Sequence, residues 1–131
     1  MLQPPLELSR YRGQNRLLLV FAPSASAMSY QQQVRMFANQ TAELTDRDVL
    51  IFYLFEEGPG YNNEMMLAPE VANRLRREFK VEPGEFITIL IGKDGRVRFR
   101  ADRPVAPIDI FSFIDILPKR QEELRKRNDE R

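Results

Sequence analysis

The sequence predicts an α/β domain: a three-layer α/β/α sandwich around a mixed four-stranded sheet, with elements in the order β-α-β-α-β-β-α. Three observations predict it. Two continuous apolar runs of strand length, "RLLLVFA" (16–22) and "VLIFYLF" (49–55), lack polar alternation, so each suits a strand covered on both faces. A segment of helical spacing separates them, which makes a βαβ unit, almost always right-handed. A third apolar run, "FITILIG" (86–92), leads through Lys93-Asp94-Gly95 into "RVRFR" (96–100), the pattern of an antiparallel hairpin.

The elements follow in order. Pro4-Pro5 marks a loose start, and Leu6 to Tyr11 suits a short helical turn stopped by Gly13; residues 1–14 are a lead-in. After the first strand, Ser29-Tyr30-Gln31-Gln32 has the spacing of a capping box. Tyr30, Val34, Phe37, Ala38 and Thr41 then mark one helical face, and the helix is expected to run to about Leu44. The second strand ends in "EEGPGYNNE" (56–64), a Gly/Pro/Asn loop. Pro69 suits the first position of a second helix with Val71, Ala72, Leu75 and Phe79 as its apolar stripe. In the hairpin's last strand, Val97 and Phe99 are expected to face inward and Arg96, Arg98 and Arg100 outward. Their charge would discourage edge pairing. "IDIFSFIDIL" (108–117) is an apolar helix that docks on the sheet through Phe111, Phe113 and Ile114, and Pro118 kinks or restarts it. Residues 119–131 form a charged tail, expected to be helical and solvated, with Glu122–Lys126 and Glu123–Arg127 in the favourable order.

Composition narrows the chemistry. The 131 residues suit one domain, 1–131, with one core. Twenty basic residues balance nineteen acidic ones, so nothing calls for nucleic acid or an anionic membrane as partner. No apolar run approaches a membrane span. "MLQPPLEL" lacks the layout of a signal peptide; the expectation is a cytoplasmic protein if Met1 is the native start, and a periplasmic or secreted one if a leader precedes it. There is no Cys and no His, which excludes a thiol nucleophile, disulfide exchange, a thiolate zinc site and an imidazole base. No cofactor is implied. Asp46 and Asp48 could contribute to an oxygen-rich cation site, but such a site needs six or more oxygens, and a solvated turn explains them.

The element order is that of a minimal thioredoxin fold. The segments "NRLLLVFAP" (15–23), "YQQQ" (30–33), "LRREFKV" (75–81), "FITILIGKDGRVR" (86–98) and "FSFIDILPKRQEE" (111–123) together resemble P-DUDES, a thioredoxin-like family of unknown function. The resemblance spans most of the chain. It implies a thioredoxin- or peroxiredoxin-like fold without a catalytic set to carry over. Against true thioredoxins, it puts Ala25 and Met28 at the cysteine positions and Ile87 where the cis-proline would lie. The pair and its companion proline are missing together.

Candidate sites are few. The loop Ser24 to Met28 lies beyond the carboxyl end of the first strand, where ligands gather in open α/β sheets; Ser24 and Ser26 are its polar side chains. Tyr30, Gln32 and Gln33 offer polar contacts beside it, although Tyr30 suits the core and Gln32 the capping box. Glu56 and Glu57 follow the second strand, but adjacent strand residues point to opposite faces and make a poor acid/base pair. The candidate ligand-binding set is therefore Ser24, Ser26, Tyr30, Gln33 and Glu57. The candidate partner surface is Tyr61, expected to be exposed in a recognition loop, with the stripe Arg96, Arg98 and Arg100, suited to another protein. No catalytic triad, metal set or phosphate loop is visible. The favoured function is a redox-inactive thioredoxin-like binding domain. The alternative is a small enzyme with a non-thiol carboxylate/hydroxyl site at the loop between the first strand and first helix.

Overall fold

The structure is a computed structural model that describes residues 7–62 and 65–130. One turn of 3₁₀ helix, Leu8–Tyr11, precedes β1 (Arg16–Ala22). Then come α1 (Met28–Phe37), α2 (Thr41–Asp46), β2 (Val49–Phe55), β3 (Gly60–Asn62) and β4 (Met65–Leu67). The chain continues through α3 (Pro69–Glu78), β5 (Ile87–Ile91), β6 (Val97–Ala101), α4 (Pro107–Asp115) and α5 (Pro118–Asp129). The sheet runs β4-β3-β2-β1-β5-β6. The β1 and β2 strands are parallel, with Arg16 opposite Val49 and Ala22 opposite Phe55; all other pairings are antiparallel.

The alternation of β1 divides the core into two. Leu17, Leu19 and Phe21 face α3 and join Phe52, Leu54, Val71, Leu75 and Ile89. Leu18, Val20 and Ala22 face the other way and join Tyr30, Phe37, Tyr53, Ile110, Phe111 and Ile114 from α1, β2 and α4. Helices thus cover both faces, and the thioredoxin-like three-layer architecture stands.

The sheet has six strands where the sequence predicts four. The Gly/Pro/Asn segment after β2 folds back as β3, with Tyr61 opposite Tyr53, and β4 pairs with β3 in turn. Gly60 is required at this approach: a Cβ there would lie 2.6 Å from the Tyr53 carbonyl oxygen. The expected long first helix is two helices. Phe37 ends α1, and Asn39 turns the chain with φ of 67°, a left-handed conformation that Asn tolerates better than most residues. The inward expectation for Val97 is also corrected. A register shift between Leu90 and Ile91 changes the pleat, so Val97 faces solvent while Phe99 packs on Phe113.

Candidate functional site

The carboxyl ends of β1 and β2 form one pole of the molecule, where Ala22-Pro23 leads into the Ser24–Ala27 loop. The loop's polar groups bond to one another. The Ser24 and Ser26 hydroxyls are 2.9 Å apart, the Ala27 N–H donates to the Ser24 carbonyl at 3.2 Å, and the Gln31 amide donates to the Ala25 carbonyl at 3.3 Å. Extended Ala27 takes the cap position of α1 without a side-chain cap. Ser29 therefore lies inside the first turn, and the expected capping box does not form. At the two positions the resemblance aligns with cysteines, Ala25 is exposed and Met28 is 85% exposed.

Beneath the loop lies an aromatic plug. Tyr30 sets its ring edge-on against Tyr53 (5.3 Å between centroids, 87°) and Phe55 (4.9 Å, 81°). Tyr61 leans on Tyr53 at 5.0 Å and shares a hydrogen bond with the Tyr30 hydroxyl. Each such ring pair is worth about 0.5–1.5 kcal/mol beyond its buried area. Burial, then the Tyr61 hydrogen bond, pushes the Tyr30 phenol well above its usual range; burial does the same for Tyr53. Both are neutral phenols near pH 7, so neither is a poised nucleophile. The expectation of an exposed Tyr61 is corrected: it is half-buried in β3, because strand pairing with Tyr53 places both rings on one face.

The remaining predicted residues are dispersed. Gln33 is fully buried; its amide donates to the Val105 carbonyl at 2.9 Å and accepts from the Val105 N–H at 2.8 Å. Glu56 accepts from the Gly84 N–H, and its carbonyl accepts from Arg76 at 3.3 Å. Glu57 is exposed at the strand end. Four cavities of about 340, 550, 450 and 570 Å³ lie elsewhere, none of them lined by Ser24, Ser26 or Glu57. In the arginine stripe, Arg98 pairs with Asp94. Arg100 donates to the carbonyls of Phe79 and Lys80 at 2.6 and 3.3 Å, a cationic cap just past the end of α3. Arg96 is exposed, and its guanidinium makes no side-chain hydrogen bond or ion pair among the described residues. Among the described residues, no group of three or more Asp, Glu, His or Cys could hold a metal ion. No helix there is long and apolar enough to cross a membrane.

The opposite pole carries an ion network that the sequence reading missed. Arg16, 1% exposed at the start of β1, grips Glu123 of α5 with two bonds of 3.2 and 3.1 Å and donates to the Arg47 carbonyl. Lys93 reaches Glu123 at 2.7 Å and Asp48 at 2.8 Å. Arg120, 2% exposed, bonds Asp46 at 2.7 Å and Asp115 at 3.2 Å. Arg47 completes the set with Asp115 and Glu43 and lies 4.6 Å from the centre of the Phe111 ring. Burial pushes the carboxyls of Asp46, Asp115 and Glu123 up, but their arginines and Lys93 outweigh it and hold all three below the usual range. The tail is thus helical, docked through Arg120 and Glu123, with residues 125–129 exposed as expected. The visible signal was a basic residue opening an otherwise apolar strand run at Arg16.

Comparison with known proteins agrees with this architecture. The chain is 32% identical over 127 residues to human sushi repeat-containing protein SRPX2, covering 95% of this chain and 27% of that protein. It is 26% identical to zebrafish coiled-coil domain-containing protein 80, over 89% of this chain and 15% of the relative. It thus spans about a quarter or less of these curated relatives. Among solved structures, the reduced 2-Cys peroxiredoxin of Plasmodium vivax superposes with a TM-score of 0.69 at 14% identity, covering 88% of this chain and 84% of the other. Mycobacterium tuberculosis AhpC gives a TM-score of 0.58 at 12% identity, covering 80% and 70%. At such identities the likeness speaks for the fold alone. The family model for a domain of unknown function, DUF4174, matches residues 7–123, and on that match the chain belongs to the DUF4174 family.

Proposed function

We propose that this domain is a non-catalytic, redox-inactive binding module of the P-DUDES kind. The observation that carries the reading is the state of the β1–α1 pole. Its loop has no sulfur nucleophile, its two hydroxyls bond each other, and the space beneath is filled by neutral aromatic rings. A general acid or base must lie within reach of a bound substrate, and four cavities of the molecule are all lined without Ser24, Ser26 or Glu57. The share of the curated relatives that this fold occupies also suits a module within longer proteins.

Two exposed features suit partner contact. Met66 on the edge strand β4 is 65% exposed and lies opposite Tyr61, so it extends the aromatic face outward. Arg96 supplies an exposed cation at the turn between β5 and β6.

The redox half is tested with purified chain, dithiol and either insulin or hydrogen peroxide. Disulfide reduction and peroxide consumption should match the rates without protein, and any protein-dependent turnover overturns the reading. The binding half is tested by capture on immobilised chain, comparing wild type with Met66→Asp and Arg96→Ala. Both substitutions sit on exposed positions that leave the core intact. Selective loss of captured material in either variant supports the surface it alters, and equal recovery in all three removes both surfaces.

A further inference from the structure

The turn between β5 and β6 faces the start of α5 across a groove of about 550 Å³. Arg16, Lys93, Arg98, Lys119 and Arg125 all line it, against Asp94 and Glu122. The two innermost cations, Arg16 and Lys93, share Glu123 below, and Lys93 also pairs with Asp48. Arg98 is paired with Asp94. The other two are poorly compensated. Lys119 lies 3.8 Å from Glu122, which already holds Lys126 at 3.2 Å. Arg125 has no hydrogen bond or ion pair among the described residues. The first turn of α5 has neither an acidic residue nor a side-chain cap, so its dipole adds positive potential where Lys119 already stands.

We infer that this groove binds a tetrahedral oxyanion, the geometry that phosphate and sulfate groups share. Arg98 from β6 and Lys119 and Arg125 from α5 bring like charge to one open cleft, and an oxyanion seated there gains charge-assisted hydrogen bonds. The groove is also far from the β1–α1 pole, at the amino end of β1. Ligand binding here is independent of the module reading above.

The test uses the full isotopically labelled chain and titrates inorganic phosphate and, separately, inorganic sulfate at constant ionic strength set with chloride. Saturable shifts should gather on the backbone signals of Gly92, Asp94, Lys119 and Arg125. Arg125→Ala and Lys119→Ala should each weaken binding about tenfold. Glu122→Gln, which removes the competing acid, should tighten it about threefold. Saturable binding of either anion supports the proposal, and their order of affinity tells which of the two oxyanions the groove favours. Absence of saturation with both anions overturns it, as do shifts scattered over the surface or unchanged affinity in all three variants.

Discussion

The Gln33 amide closes a two-bond ring with the backbone of Val105, tying α1 to the segment that leads into α4. The ring is fully buried, so losing it strands an N–H and a carbonyl away from water, each at about 1–3 kcal/mol. Gln33→Leu preserves volume and should lower the unfolding free energy by about 2–4 kcal/mol, read from urea denaturation with an unchanged slope. A loss below about 0.5 kcal/mol would mean that water reaches Val105. The run Gln31-Gln32-Gln33 shows what the sequence could reveal here. Tyr30, Gln33 and Phe37 are the buried residues of α1, at the i, i+3, i+7 spacing of one stripe. The phase that places Tyr30 and Phe37 inside therefore also carries Gln33 inside. What the phase cannot supply is its partner, 72 residues away.

At the level of elements, two of the strands that are covered on both faces were legible to the residue, and β5 to within one residue at each end. The run 16–22 and the run 49–55 coincide with β1 and β2, because six or seven apolar residues in a row have no other stable home in a small domain. The three-residue strands β3 and β4 were not legible. Their composition is that of a turn, and their pairing depends on the close approach at Gly60. The break between α1 and α2 was hidden for a related reason: the apolar spacing continues through it, while the reversal rests on one left-handed residue, Asn39. A β-branched side chain in that conformation meets the backbone, at about 1–2 kcal/mol. Asn39→Val should therefore lower the melting temperature, and Asn39→Gly should leave it within about 2 °C of wild type. Equal losses in both would show that the Asn side chain, not the backbone shape, holds the corner.

Across the whole molecule the two poles divide the work: one carries the quiet loop and its aromatic plug, the other binds α5 to the sheet through buried ions. That ionic pole makes a pH dependence with a definite sign. Asp46, Asp115 and Glu123 each have a folded value lowered by their cations, despite burial acting the other way. Groups of this kind contribute stability that is complete above the unfolded carboxylate value, about 4, and lost as pH falls through the lowered folded values. The unfolding free energy should thus stay level from neutral pH down to about 5 and drop below about 4. Surface pairs would show a similar trend at low salt and lose it when screened. Arg16 and Arg120 are 1% and 2% exposed, so moderate salt should leave the acid drop in place. Glu123→Gln separates this network from the general titration of the chain. It leaves Arg16 and Lys93 short of a counter-charge, which should cost about 3–5 kcal/mol at neutral pH and make the acid drop shallower. The comparison requires urea midpoints for wild type and variant from pH 7 down to about pH 3. Parallel curves would show that Glu123 does not drive the acid response, and that α5 stays on the sheet by packing rather than by charge.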